Sequence, residues 1–167
     1  QSREAVFFLN NVTLLASIIE RNKLGPDEVN ILCARNRSNK GKLNRLSRKF
    51  GARFDYGTIP QRGEPHKMFT FCTKTVFLGC DFYSTSAYTY IISNPNREET
   101  ALDISSEFYQ ILGRQRLGEN VFKDEATLLY TTTRLKDQGE LDVLQKEKDR
   151  RTLSLIDGFN YMPKQSQ

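Results

Sequence analysis

The chain has 167 residues, with 25 Lys+Arg against 20 Asp+Glu and a formal net charge of +5 with its single His neutral. Eleven Phe and seven Tyr exclude a disordered polar chain, and no window is apolar enough over the ~20 residues that a membrane span needs. The length suits one domain with a core of its own.

Ala5–Leu9 (AVFFL) is a short continuous apolar run and predicts a buried strand. Asn11 is placed to cap the next helix, on which Leu14, Leu15, Ile18 and Ile19 share one face, and Gly25-Pro26 ends it. Val29–Ala34 predicts a second strand. Lys40–Phe50 reads as a helix with Leu43, Leu46 and Phe50 inward and Lys42, Arg45, Arg48 and Lys49 outward, stopped by Gly51. Arg53–Tyr56 predicts an edge strand leading into a long surface loop. Lys67–Cys72 and Tyr88–Ile92 predict strands, the latter ending in the turn Asn94-Pro95-Asn96. Asp103 is the expected N-cap of a helix carrying Ile104, Phe108, Ile111 and Leu112 on its core face. Ala126–Thr133 predicts a last strand, Gln138–Arg151 a charged helix and Met162–Gln167 a frayed tail. Strands alternating with helices predict βαβ units, hence an α/β fold with a mostly parallel sheet and helices on both faces.

Val6–Leu9 is too short for the apolar part of a signal peptide. A first residue of Gln rather than Met predicts a piece of a longer protein. Cys33, Cys72 and Cys80 form no CxxC pair and sit among apolar neighbours, so buried, reduced thiols in a cytoplasmic, intracellular protein are expected. With His66 the only histidine, no zinc site is expected.

The charge is concentrated. Arg35, Arg37, Lys40, Lys42, Arg45, Arg48, Lys49 and Arg53 follow one another without an acidic residue between them, a stretch of +8; the other 17 basic and 20 acidic residues leave −3. A solvated helix face usually mixes both signs. Eight positives running from a strand end along the next helix predict a phosphate-binding surface, with nucleic acid as the expected partner and a plain solvated face or another acidic partner as the alternatives. Asn36, Ser38 and Asn39 add neutral donors near the helix N-terminus.

Two further segments carry chemistry. Thr73-Lys-Thr-Val-Phe-Leu-Gly79-Cys-Asp81-Phe82 follows a strand, and its Gly two residues before an Asp allows a tight turn that presents a carboxylate. Gln110-Ile-Leu-Gly113-Arg114-Gln-Arg116 ends a helix, and its two arginines can project into a cleft and stabilise charge on a transferred phosphoryl group. An ordinary strand-to-turn step and an ordinary basic turn would account for either segment alone.

Together and in this order the pair resembles motifs V and VI of superfamily-2 helicases and translocases, on their second (C-terminal) RecA-like motor domain, a P-loop NTPase-type α/β fold. Thr73, Gly79 and Asp81 match motif V, and Gln110, Gly113 and Arg114 match motif VI. The last arginine of motif VI would stand at Leu117, whereas Arg116 comes one residue early. Val6–Asn11 looks like motif IV, and the GRxR form with Phe71 and Phe82 most resembles helicase-like replication-origin-binding proteins. The resemblance implies one C-terminal motor domain, with residues 134–167 as a helical extension. It implies that Asn10 and Thr73, with Arg35, Arg37, Lys40, Lys42 and Arg45, face nucleic acid, which would be DNA in that subfamily. Gly79, Asp81, Gln110 and Gly113 would face ATP, Asp81 on the ribose or on a motif VI arginine, and Arg114 or Arg116 would be the catalytic finger. ATP and Mg would bind only in the full-length protein, between this domain and an N-terminal RecA-like domain of the same polypeptide.

No GxxxxGK[ST] phosphate loop is present. Asp27-Glu28 and Asp124-Glu125 imitate an acidic motif but precede strands, and read as turn carboxylates. His66 reads as a solvated loop residue. Ser84, Thr85 and Ser86 have no nearby base. Tyr83, Tyr88 and Tyr90 offer base-stacking faces, although Tyr88 and Tyr90 are more simply one face of a strand. Two functions follow as expectations: half of an ATP-driven motor, inactive alone, or a non-catalytic nucleic-acid-binding or assembly module on the same fold.

Overall fold

Five strands, β1 (Ala5–Phe8), β2 (Val29–Leu32), β3 (Phe69–Cys72), β4 (Tyr88–Ser93) and β5 (Ala126–Tyr130), form one sheet in the order β2-β3-β1-β4-β5. All four pairings are parallel, and Ala5 of β1 stands level with Phe69 on one side and Tyr88 on the other. The computed structural model describes residues 4–77, 79–94, 100–103, 106–131 and 138–160. The chain divides into two units, Gln1–Thr131 and Thr132–Gln167; the sheet belongs to the first, and the helix Gln138–Asn160 (α5) to the second.

Side chains alternate across each strand, and the parallel register aligns them into two cores. Val29, Ile31 and Phe71 meet Leu15 and Ile19 of α1 (Val12–Asn22) and Leu43 and Leu46 of α2 (Arg37–Phe50) on one face. Val6, Phe8, Cys72 and Ile91 meet Val76 and Phe77 of α3 (Lys74–Phe77) and Ile111 of α4 (Glu107–Leu112) on the other. The fold is therefore the α/β architecture expected, with helices on both faces of an all-parallel sheet. Each fully buried large side chain, such as Phe8, Leu15 or Ile91, adds about 1.5–3 kcal/mol.

The Asn11 cap forms as expected: its Oδ1 accepts the N–H groups of Thr13 and Leu14, both at 2.9 Å, an arrangement usually worth about 1 kcal/mol. Gly51 (φ 64) ends α2 in the left-handed conformation.

Other boundaries differ. Helix α2 starts at Arg37 rather than Lys40, because Asn36 Oδ1 accepts the Asn39 N–H at 2.8 Å and caps a wholly polar first turn that apolar periodicity does not register. Arg53–Tyr56 is not a strand. The Phe54 N–H goes to Ser47 Oγ at 2.8 Å instead of a ladder partner, and its ring packs edge-on against Phe50. The outer edge of β2 is covered just beyond, where the Gly57 N–H reaches Ile31 O at 2.8 Å and Asn30 Nδ2 reaches Thr58 O at 2.9 Å. Helix α4 begins at Glu107 behind Ser106, which makes no side-chain cap, rather than at Asp103, whose carbonyl accepts the Phe108 N–H at 3.1 Å. Helix α5 runs past Arg151 to Asn160. Strand β5 ends at Tyr130, and the short helix α3 was not expected. Ile104, Pro95, Asn96, Thr132, Thr133 and Met162–Gln167 lie outside the described residues.

Candidate functional site

β1 and β3 are neighbours, yet the chain leaves β1 toward α1 on one face and β3 toward α3 on the other. Divergent connections of this kind open a crevice at the carboxyl ends of the strands, the place where α/β sheets bind ligands. A cleft of about 480 Å³ lies there, lined by Asn10, Asn11, Thr13, Asn39, Lys42 and Thr73 among others. Asn10 Oδ1 accepts the Lys74 N–H at 3.1 Å and ties the two strand ends together. Asn10, Lys42 and Thr73, far apart in sequence, thus share one cavity.

A second constellation lies where the segments around residues 81 and 115 meet. The Phe82 N–H donates to Arg114 O at 2.8 Å and the Arg116 N–H to Phe82 O at 2.9 Å, so that Phe82 and Gln115 form an isolated parallel bridge. Gly79 turns the chain into this bridge with φ 86, a conformation a side chain would strain; Gly113, with φ −81, needs no such freedom. The bridge places Asp81 beside both arginines: Arg116 Nε lies 2.8 Å and Arg114 Nη1 3.7 Å from the same oxygen, Oδ1. The Arg114 side chain is only 13% exposed and that of Arg116 50% exposed, so one guanidinium is sunk in the protein and the other stands at its surface. Among the described residues Arg114 Nε and both amide atoms of the buried Gln115 have no hydrogen-bond partner. Gln110 stands half-buried on α4, one turn before Gly113. Lys74 joins this region to the cleft, since its Nζ pairs with Glu107 at 2.8 Å while its backbone serves Asn10.

The basic stretch separates into two groups. Lys40 Nζ pairs with Asp55 at 2.9 Å, Arg53 with the same carboxylate at 2.8 Å, and Lys49 with Glu20 at 2.6 Å. Arg35 and Lys40 both lie over the Tyr56 ring, 5.7 and 5.6 Å from its centroid. Lys40 and Arg53, the first cause being Lys40, hold the Asp55 carboxyl well below the usual carboxylate range. Lys40, expected toward nucleic acid, therefore spends its charge within the chain, and the run of eight is not unbalanced in space. Arg37, Lys42, Arg45 and Arg48 instead line a groove between α1 and α2. Spacing alone revealed neither Asp55 nor Glu20 as partners, because one follows the run and the other precedes it by a whole strand.

Burial pushes up the thiols of Cys33, Cys72 and Cys80, that of Cys72 furthest. Ser84 Oγ donates to Glu4 and accepts the N–H groups of Ser86 and Ala87, an arrangement that holds a turn and leaves no lone pair for attack. Glu28 accepts the Gly25 N–H at 2.7 Å, a turn carboxylate as expected. Tyr88 and Tyr90 share one sheet face, with Phe7 stacked on Tyr90. Among the described residues no group of three or more His, Cys, Asp or Glu could hold a metal ion, and no helix is long and apolar enough to cross a membrane. Comparison with protein-family models, with curated proteins and with solved structures finds no match to this chain.

Proposed function

We propose that the chain is the second RecA-like motor domain of an ATP-dependent nucleic-acid helicase or translocase, completing an ATP site with an N-terminal domain of the same polypeptide. The observation that carries this reading is the Phe82–Gln115 bridge, which brings two segments of motif V and motif VI character together and puts Asp81 on Arg114 and Arg116. A half-exposed guanidinium on a bridged backbone is a preorganised donor for the charge on a transferred phosphoryl group. Arg116 is the finger in this reading, and the buried Arg114 positions it through their shared carboxylate. ATP and Mg would be held chiefly by the partner domain, as this chain has no phosphate loop. Nucleic acid, DNA by the resemblance, would lie along the cleft of Asn10, Lys42 and Thr73, with Arg37 and Arg45 of the neighbouring groove supplying further cations.

One observation favours a second reading, a non-catalytic nucleic-acid-binding module: both arginines are already engaged by Asp81. Nucleic-acid-stimulated ATPase of the full-length protein separates the two. An arginine finger is worth about 10³–10⁵ in turnover, so Arg114→Ala with Arg116→Ala should remove stimulation at least a thousandfold. Stimulated activity that survives the double substitution sinks the arginine assignment, and no stimulated ATPase in the unsubstituted full-length protein sinks the motor reading.

A further inference from the structure

The groove between α1 and α2 has a volume of about 560 Å³ and shares Thr13 and Lys42 with the sheet-edge cleft, so the two adjoin. On α2 its wall includes Arg37, Gly41, Arg45 and Arg48, positions that fall on one helical stripe, beside Ser38, Lys42 and Leu46. Arg37, Lys42, Arg45 and Arg48 make no ion pair among the described residues. The acidic residue in the lining, Glu20, is held by Lys49 at 2.6 Å. From Arg37 to Arg48 the cations extend over about 16 Å of helix axis at 1.5 Å per residue. That distribution suits a chain of phosphates better than one small anion, for which cations would converge on a point.

Gly41 is the second observation. It sits inside α2, where glycine costs about 1 kcal/mol relative to alanine, and a Cβ built there meets nothing within 4 Å. Packing against the protein therefore does not require it. The missing side chain leaves bare helix backbone between Arg37 and Arg45 in the groove wall, which Ala16 and Ser17 of α1 also line.

We propose that the α1–α2 groove seats the sugar–phosphate backbone of a single nucleic-acid strand, which passes over Gly41 after leaving the sheet-edge cleft. This deepens the motor-domain reading and rests on its nucleic-acid partner, while extending the contact onto the outer helices. The test is titration of the 167-residue chain against fluorescent 20-mers of deoxythymidine and of uridine at a series of salt concentrations. With Arg37, Arg45 and Arg48 all changed to Ala, the slope of log affinity on log salt should fall by about 2, at roughly 0.7 per lost single-strand phosphate contact. Between 50 and 200 mM salt the wild-type chain should then lose about 20-fold more affinity than the variant.

Lys40→Ala with Arg53→Ala and Arg62→Ala removes the same charge outside the groove and should leave the slope close to wild type. Gly41→Leu should weaken binding about tenfold, the worth of roughly one charge-assisted contact, with no fall in melting temperature. Equal slope changes in both triple variants, no change in either, or wild-type affinity in Gly41→Leu each overturn the groove assignment alone. A wild-type chain that binds neither oligonucleotide overturns both the groove and the nucleic-acid partner it rests on.

Discussion

Asp81 holds two arginines by one oxygen, and the distances and the burial rank those pairs oppositely. Arg116 is nearer, at 2.8 Å against 3.7 Å, but its side chain is 50% exposed where that of Arg114 is 13% exposed. Unit charges 4 Å apart attract by about 1 kcal/mol in bulk water and about 4 kcal/mol at an effective dielectric near 20. A difference of about 1 Å in separation is therefore outweighed by the change of surroundings. Exposed pairs measure about 0.2–1 kcal/mol in mutant cycles, and removing the partner of a wholly buried charge costs about 3–5 kcal/mol. Because Asp81 is itself 37% exposed, we expect an Asp81–Arg114 coupling of about 1.5–2.5 kcal/mol, between those limits. The Asp81–Arg116 coupling should lie below about 1 kcal/mol. Two double-mutant cycles, Asp81→Ala with Arg114→Ala and Asp81→Ala with Arg116→Ala, followed by urea unfolding, measure both. A larger coupling to Arg116 would refute the reasoning. It would mean that Arg114 is hydrated, and that the surface arginine is the one locked in place. The ranking bears on the proposed motor, since a weakly held Arg116 can leave Asp81 for a phosphate at little cost while Arg114 keeps the carboxylate placed.

Gly57→Ala should cost about 2–4 kcal/mol in urea unfolding, through overpacking and loss of a buried hydrogen bond, because its Cβ would stand 1.7 Å from Asn30 Oδ1. Gly118→Ala, with nothing within 4 Å of the new Cβ, should be near neutral, and equal losses at both positions would remove the steric explanation. The Asp55 carboxyl should titrate below the ordinary value of ~3.9 when followed by carbon NMR, because Lys40 and Arg53 favour its charged form. A folded-state value lowered in this way stabilises the native chain above the unfolded carboxyl's pKa, and that contribution disappears as pH falls through the lowered one. An ordinary titration near pH 4 would show that the Lys40 and Arg53 contacts do not persist in solution. In thiol labelling at pH 8, Cys72 should react only on unfolding, and Cys33 and Cys80 more slowly than free cysteine, since burial raises all three. Rapid reaction of Cys72 in the native chain would contradict its complete burial.

The strands were legible because each is a short apolar run that a two-sided core demands. AVFFL and VNILCA carry too much apolar surface to face solvent, and β1 and β2 fall within them; β2, although it ends the sheet, is buried along its whole length. Asn11 was legible as a cap because its side chain acts on the next turn, a local event. The start of α2 was hidden, as its first turn (Arg37-Ser-Asn-Lys) has no apolar residue and depends on Asn36. Arg53–Tyr56 misled because an aromatic at alternate positions suits both an edge strand and a buried anchor; Ser47 Oγ decided for the anchor. The candidate sites were partly legible: Thr73, Gly79, Asp81, Gln110, Gly113, Arg114 and Arg116 stand out by spacing. Their roles were not, because exposure and partnership are properties of the folded surface.

By itself the sequence determined the composition of an α/β core, the alternation of strands and helices, and a +8 stretch with two segments able to meet phosphate. These follow from side-chain period and local backbone chemistry. Only the tertiary structure decided which charges remain available. It brought Asp55 to Lys40 and Arg53, and Glu20 to Lys49. It left Arg37, Lys42, Arg45 and Arg48 facing a groove with a bare glycine in its wall. It also made one bridge out of Phe82 and Gln115, so that Asp81 meets both arginines. A charge is counted along the chain, but it is neutralised across space.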